Sequence, residues 1–364
     1  MDDRRWDVVV ADDLPAAELE AAASFFETSF PGTFEPRCTP AMFRWKLGPA
    51  NPAGSGRMTL AMHEGRVVGT MTATKKRLVV DGETIVGVEV GDTFTHPDFR
   101  RGGGAAVPFP GTDPDSYLNK SIFGRLVRET TDRLRGEGIA LVYGTPNANS
   151  RPGYVERAGY LLAEDASGTS WRRPTARRLN RVRGAGPLVP VARLLDALAS
   201  AAVGGADLES GWPDPEELDE LWRRASPRAG LAIVQDGAWF THRYRQHPDL
   251  AFDAHRVRVG GRLAAVVVGR TSEDREGRRS YLVAETLADA AGRTALPGAL
   301  VALVRRVRRD VESVSLWSST GVGRRALFVR ADPVPVIFDD TALARELVDR
   351  RVGWDLQRGW SDNA

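Results

Sequence analysis

Residues 86–160 constrain the fold more than any other part of this chain. They contain VEVGDTFTHPDFRRGG at positions 88–103, KSIFGRLVRETTDRLRGEG at 120–138, IALVYGT at 139–145 and PNANSRPGYVERAGY at 146–160. The first piece reads as a β-strand over residues 86–95, a turn at His96, Pro97 and Asp98, and two arginines running into glycines. The second is an amphipathic helix over residues 120–135, with Ile122, Leu126 and Leu134 able to share one face. Gly136 and Gly138 stop it, and residues 139–143 are a short buried strand. A strand, a glycine turn and a helix N-terminus converge backbone N–H groups, and such a unit cradles an anion of the phosphate type.

The rest of the first half supplies a sheet for that unit to sit on. Residues 7–10 form a short strand, and residues 15–26 carry apolar side chains at helical spacing. After the segment FRWKLGPANPAGSG, three strand-like runs span residues 58–97, separated by HEGR and VDGE, whose glycines suit tight hairpins. The expected result is an antiparallel meander ending on the 86–95 strand.

From residue 171 the composition changes. WRRPTARRLNRVRGAGP is basic and broken by Pro and Gly, which marks a connector, and a helix is expected over residues 191–202. A well-marked helix, PDPEELDELWRRA, opens the second half. There WFTHRYRQHP (239–248) echoes MFRWKLGPANP (42–52), and strand (281–285), helix (295–308) and strand (311–317) follow in the order of the first half. The arginine–glycine turn is missing from this echo, where ETLADAAGRTA stands instead. The expected division is a unit over residues 1–170, a basic linker and helix over 171–211, and a degenerate second unit over 212–364. The fold class is α/β: two units in tandem, each a mixed, mostly antiparallel sheet flanked by helices.

Composition narrows the setting. A chain of 364 residues, 42% hydrophobic, buries a large core. Its 50 basic and 48 acidic residues leave a net charge of +2, so the many arginines are no nucleic-acid footprint. The single cysteine, Cys38, excludes an internal disulfide framework. The apolar run from residue 187 is interrupted by Pro190, Arg193 and Asp196 and falls short of a membrane span. A cytoplasmic protein is expected, with no membrane or nucleic-acid partner, as monomer or homodimer.

The segment PDFRRGGGA fits the pattern R-x-x-G-x-A after a strand, and its order with the following helix, strand, Asn147 and YVERAGY resembles the GNAT superfamily of CoA-dependent N-acyltransferases. The likeness covers residues 43–160 well and the second half only in plan; FRWK…NPAG and PN…GY look like a tandem branch of that superfamily. One departure is an insertion of residues 103–119 ahead of the helix. Either Gly103, Gly104 and Ala105 make the cradle, or Arg100, Arg101 and Gly102 join directly to Lys120, Ser121 and Ile122 with the insertion looped out. A loop of that length is able to act as a lid over the acceptor.

The resemblance implies direct transfer of an acyl group from acetyl-CoA to an amine, with no metal. Such a step needs a base for the amine proton, N–H donors for the oxyanion and an acid for the thiolate. On that reading the cofactor is held by Thr93, Phe94, Thr95, Arg100, Arg101, Gly102, Gly103, Lys120, Ser121, Ile122 and Asn147. Glu89 is the leading base, Asp92 the second carboxylate and Tyr154 the acid. On an ideal strand Asp92 points away from Glu89, and a bulge would reverse that. Asn147 also reads as a loop cap, Tyr154 as a packing residue, His96 as a turn residue, and Phe43 and Trp45 as core aromatics or lining of the acceptor pocket.

Other chemistries lack their signatures: there is no H-E-x-x-H, G-x-S-x-G or Walker-type turn, and His242, His247 and His255 are scattered. The expected activity is acetyl transfer to a small-molecule amine, an amino sugar or natural-product intermediate. An aminoacyl-tRNA-dependent transferase of tandem type and a non-catalytic binding protein are the other readings.

Overall fold

The computed structural model describes residues 7–11, 14–31, 38–100, 121–164, 167–175, 190–191, 194, 207–227, 230–319, 321–354 and 356–360. Its strands are β1 (Asp7–Ala11), β2 (Arg57–His63), β3 (Arg66–Val80), β4 (Glu83–Thr95), β5 (Val142–Gly144), β6 (Leu161–Leu162), β7 (Gly168–Pro174), β8 (Glu209–Ser210), β9 (Leu231–Ile233), β10 (Asp253–Val259), β11 (Arg262–Glu273), β12 (Arg279–Ala288), β13 (Ser313–Ser318), β14 (Val329–Val334) and β15 (Ile337–Phe338). The helices are α1 (Ala16–Ser29), α2 (Pro40–Leu47), α3 (Ile122–Gly136), α4 (Pro215–Ala225), α5 (Gly237–Phe240), α6 (Ala290–Val307), α7 (Val322–Arg325) and α8 (Ala342–Asp349).

Two mixed, mostly antiparallel sheets result. The first has the order β1-β2-β3-β4-β5-β15-β6, with β9 beside the end of β3, and the second runs β14-β7-β13-β12-β11-β10-β8. Each holds one parallel pair, β4/β5 in the first and β12/β13 in the second. The halves of the chain trade strands. β15 enters the first sheet between β5 and β6, and β9 pairs with β3. In return β7, which crosses position 170, pairs with β13 and β14 in the second sheet. The basic connector thus begins as a strand. Residues 176–189 lie outside the described part, as does most of the helix expected over 191–202.

Packing follows the alternation of the strands. On one face of the first sheet, Ile122, Leu126, Val127 and Leu134 of α3 bury against Ala61, Met71, Ala73, Val88 and Val90. On the other, Phe25 and Phe26 of α1 meet Phe43 and Leu47 of α2 over Met58 and Leu60. The α2 segment, which carries no clear pattern in sequence, is a helix because Thr39 caps it through the Met42 N–H (3.1 Å) and Pro40 sits where a missing N–H costs nothing.

The largest core lies between the sheets. Leu78, Tyr143, Ile233, Phe240, Val266, Val268, Phe338, Trp354 and Trp360 belong to one cluster drawn from both halves. In the second half α6 begins at Ala290 rather than at residue 295, because Asp289 caps it through the Gly292 N–H (2.9 Å). A Cβ on Gly292 would stand 1.9 Å from the Ala264 carbonyl oxygen, so only glycine permits this approach.

Candidate active site

Strands β4 and β5 are paired at Val88–Val142 and Glu89–Tyr143 and then separate. Beyond that point β4 is bulged: Thr72 faces Gly91 and Thr70 faces Phe94, so Asp92 and Thr93 together oppose Met71. Asp92 takes a left-handed backbone (φ 44°), a conformation that Asp tolerates better than bulkier residues. The extra residue changes which way side chains point. Glu89 and Asp92, three apart, come to the same face of the sheet, whereas regular alternation would set them on opposite faces.

Each carboxylate meets a lysine there. Lys46 of α2 donates to Asp92 Oδ2 at 2.5 Å, and Thr72 Oγ1 donates to the same oxygen at 3.0 Å. Lys76 Nζ lies 3.4 Å from Glu89 Oε2, with both side chains nearly closed to solvent. Charges buried this deeply persist only when paired, and here each carboxylate has an ammonium beside it. Lys46 ends the FRWK segment, but nothing in the sequence assigns either lysine a role. Their signal is positional only: Thr72, Thr74 and Lys76 alternate on one face of β3.

The second half closes this face. Trp239 of α5 lies under Lys76, with the ammonium 5.3 Å from the ring centroid. Trp45 Nε1 donates to the His242 carbonyl (2.9 Å), and its ring stacks on the His242 imidazole. Together Trp45, Lys46, Asn51, Thr74 and Lys76 on one side, and Trp239, His242 and Arg243 on the other, line a narrow cleft. Trp45 is thus pocket lining, whereas Phe43 is core, packed on Phe26. Trp239 is itself held by Glu285 of β12. That carboxylate is fully buried and accepts from Gln235, Trp239, Tyr244 and Trp360. Burial pushes its pKa up.

On the opposite face of the bulge, Thr93 Oγ1 and Tyr154 OH are 2.7 Å apart. Tyr154 lies on a π-helical turn (Gly153–Arg157), a local widening that brings it into the fork between β4 and β5. Burial raises its pKa well above that of a free phenol, so it carries its proton throughout the working range.

The remaining candidates differ in placement. Ser121 caps α3 through the Gly124 N–H (2.9 Å). Ile122 and Phe94 turn their side chains into the two cores, so only their backbone can meet a ligand. Arg100 is exposed, with Nε donating to the Thr95 carbonyl (2.9 Å). Asn147 is exposed after β5, where Oδ1 accepts from the N–H groups of Asn149 and Ser150, a loop cap. His96 likewise caps its turn, accepting from the Asp98 N–H. Arg101, Gly102, Gly103 and Lys120 lie outside the described residues, as does the insertion at 103–119.

Residues 11–163 match the model of an acetyltransferase (GNAT) domain, and the forked, bulged strand lies within them. Those residues carry a GNAT acetyltransferase domain. A domain of that family supports an N-acyltransferase enzyme, and the fold of the chain is shared by solved structures of low identity. A probable N-acyltransferase from Enterococcus faecalis V583 is 12% identical, with a TM-score of 0.56 over 92% of this chain and 72% of that one. A GCN5-related N-acetyltransferase from Anabaena variabilis ATCC 29413 gives 12% and 0.58 over the same shares. Saccharomyces cerevisiae N-myristoyltransferase with bound myristoyl-CoA gives 14% and 0.59, over 92% of this chain and 82% of that one. No curated protein matches the sequence. Among the described residues no helix is long and apolar enough to cross a membrane, and no three His, Cys, Asp or Glu side chains group as metal ligands.

Proposed function

We propose that this protein transfers an acetyl group from acetyl-CoA to the amine of a small molecule, an amino sugar or natural-product intermediate, and acts in the cytoplasm. The observation that carries this reading is the fork between β4 and β5, with the Tyr154 hydroxyl at Thr93 on one face and the Glu89 and Asp92 carboxylates on the other. Acyl-CoA supplies an activated thioester. In this reading the backbone N–H groups over Thr93, Phe94 and Thr95 stabilise the oxyanion, and the α3 N-terminus with Arg100 receives the diphosphate.

Tyr154 is then the proton donor to the departing thiolate, since its raised pKa keeps it protonated. Glu89 or Asp92 takes the amine proton, directly or through water. A short acyl group suits the fork, because Phe123 and Tyr160 each pack edge-on against Tyr154 at 5.1 Å and fill the space behind it. The second half acts as a degenerate unit that walls the acceptor pocket.

Thiol release from acetyl-CoA in the presence of a panel of amines tests the proposal. Amine-dependent release that Tyr154→Phe slows, at unchanged acetyl-CoA affinity, supports it. Absence of acetyl-CoA binding in a calorimetric titration would remove it.

A further inference from the structure

Three arginines gather on the face of the second sheet that looks toward the first. Arg172 on β7 stands opposite Ser315 on β13, Ser315 opposite Leu282 on β12, and Leu282 opposite Arg270 on β11. The four positions make one row across the sheet, which sets the Arg172 and Arg270 backbones about 14 Å apart at the usual strand spacing. Arg358, on the C-terminal 3-10 turn (Arg358–Trp360), lays its guanidinium over the Trp317 ring of β13, 4.7 Å from the centroid. Trp317 is two residues along from Ser315, so Arg358 hangs over the middle of the row.

Among the described residues neither Arg172 nor Arg358 has an ion-pair partner, and Arg358 Nε is closed to solvent with no hydrogen-bond partner. Burial, with the charges of Arg270 and Arg172 beside it, pushes the Arg358 guanidinium down to about 10. A guanidinium such as that of Arg358, largely out of water and facing like charges, costs stability unless an anion joins it. Three planar guanidinium groups suit a phosphate better than a single carboxylate, because each offers paired N–H donors to oxygen.

The cluster adjoins the acceptor pocket. Arg243, which lines that pocket, donates from Nε to the carbonyl of Gly359, the residue after Arg358 (3.0 Å). Arg243 and Arg270 both help hold the His247 imidazole neutral, beside Trp45. Arg172 is exposed and opens the cluster to solvent.

We infer that Arg172, Arg270 and Arg358 form a phosphate subsite that anchors a phosphorylated amine acceptor. This rests on the acyl-transfer reading of the neighbouring pocket. The full chain is titrated with inorganic phosphate by calorimetry, at ionic strength balanced with chloride. Binding is expected in the unaltered protein, weakened about tenfold or more by Arg358→Gln and by Arg172→Gln. Arg172 is exposed, so its variant keeps the test valid if Arg358→Gln disturbs folding; melting curves check both.

In parallel, small amines are assayed with and without a phosphate ester. A lower KM for phosphorylated members at similar kcat, lost in Arg172→Gln, supports the subsite. No phosphate heat, heat unchanged in both variants, or no advantage for any phosphorylated amine overturns it. An acetyl-CoA titration separates the two readings: its failure would remove acyl transfer, while the phosphate titration would still decide the subsite.

Discussion

Asp92 reaches Lys46 at 2.5 Å because β4 carries one residue too many at that point. Without the bulge the carboxylate would face α3, and the buried Lys46 ammonium would lose this anion. The Asp92–Lys46 pair and the Glu89–Lys76 pair line the same face, so the site's electrostatics depend on one left-handed residue.

Replacing Glu89 by Gln is expected to lower kcat by about a hundredfold with little change in acetyl-CoA affinity, as loss of a general base does. It also leaves Lys76 without its carboxylate, and breaking such a pair costs about 3–5 kcal/mol. The double variant Glu89→Leu/Lys76→Met separates the two effects. Thermal unfolding should recover most of the lost stability, and turnover should not return. Wild-type turnover in Glu89→Gln would take Glu89 out of the mechanism.

Tyr154→Phe removes one hydrogen bond, to Thr93, and should cost only about 1 kcal/mol in a urea unfolding experiment. Turnover should fall by about 10²-fold or more if the hydroxyl protonates the thiolate. Burial raises the Tyr154 pKa, so the acid form persists as pH rises through 10. The rate profile should therefore show no downturn from this phenol near its ordinary value.

Cys38 should resist alkylation. Burial and the Asp92 charge push its thiol up to about 12, leaving almost no thiolate at about pH 8. Asp92→Asn removes the repelling charge and leaves Lys46 to attract the thiolate, so iodoacetamide labelling followed by mass spectrometry should be faster in that variant. Equal labelling rates would show that Asp92 does not act on Cys38.

His247 sets an acid limit to stability. Its ring accepts from the N–H groups of Asp249 and Leu250, and burial with Arg243 and Arg270 lowers its pKa to about 3. The unfolded chain binds a proton near the ordinary value of about 6.5, the folded one does not. The stability His247 contributes is therefore complete above about 6.5 and lost as pH falls toward the folded pKa. His247→Asn keeps an acceptor without titrating, so its melting temperature should fall less between about pH 7 and pH 5 than that of the unaltered protein.

Glu285 holds the pocket wall in place. Glu285→Leu strands buried donors on Gln235, Trp239, Tyr244 and Trp360, each costing about 1–3 kcal/mol when left unmade. A large drop in melting temperature is expected, together with increased solvent exposure of tryptophan fluorescence. Glu285→Gln, which retains acceptor capacity, should fall between the two.

Much of the fold was legible because its signals are local. The meander announces itself through alternation and hairpin glycines, α3 through the spacing of Ile122, Leu126 and Leu134, and α4 through Asp214, Pro215 and the amphipathic run after them. Glu89 and Tyr154 stood out because the motif around them is contiguous. Lys46, Lys76, Trp239 and Glu285 did not, since each matters only through a partner from 13 to 163 residues away in the chain.

Sequence alone determined the order β1, α1, β2, β3, β4, α3, β5 and the side of α3 that is buried, all of which follow from periodicity within a few turns of chain. Tertiary structure decided the rest. The exchange of β7, β9 and β15 between sheets closes the largest core, and no local pattern encodes it because strand pairing is settled by which edges are free. The common face of Glu89 and Asp92 likewise depends on a single unpaired residue, and a bulge reverses every side chain beyond it without altering composition or spacing.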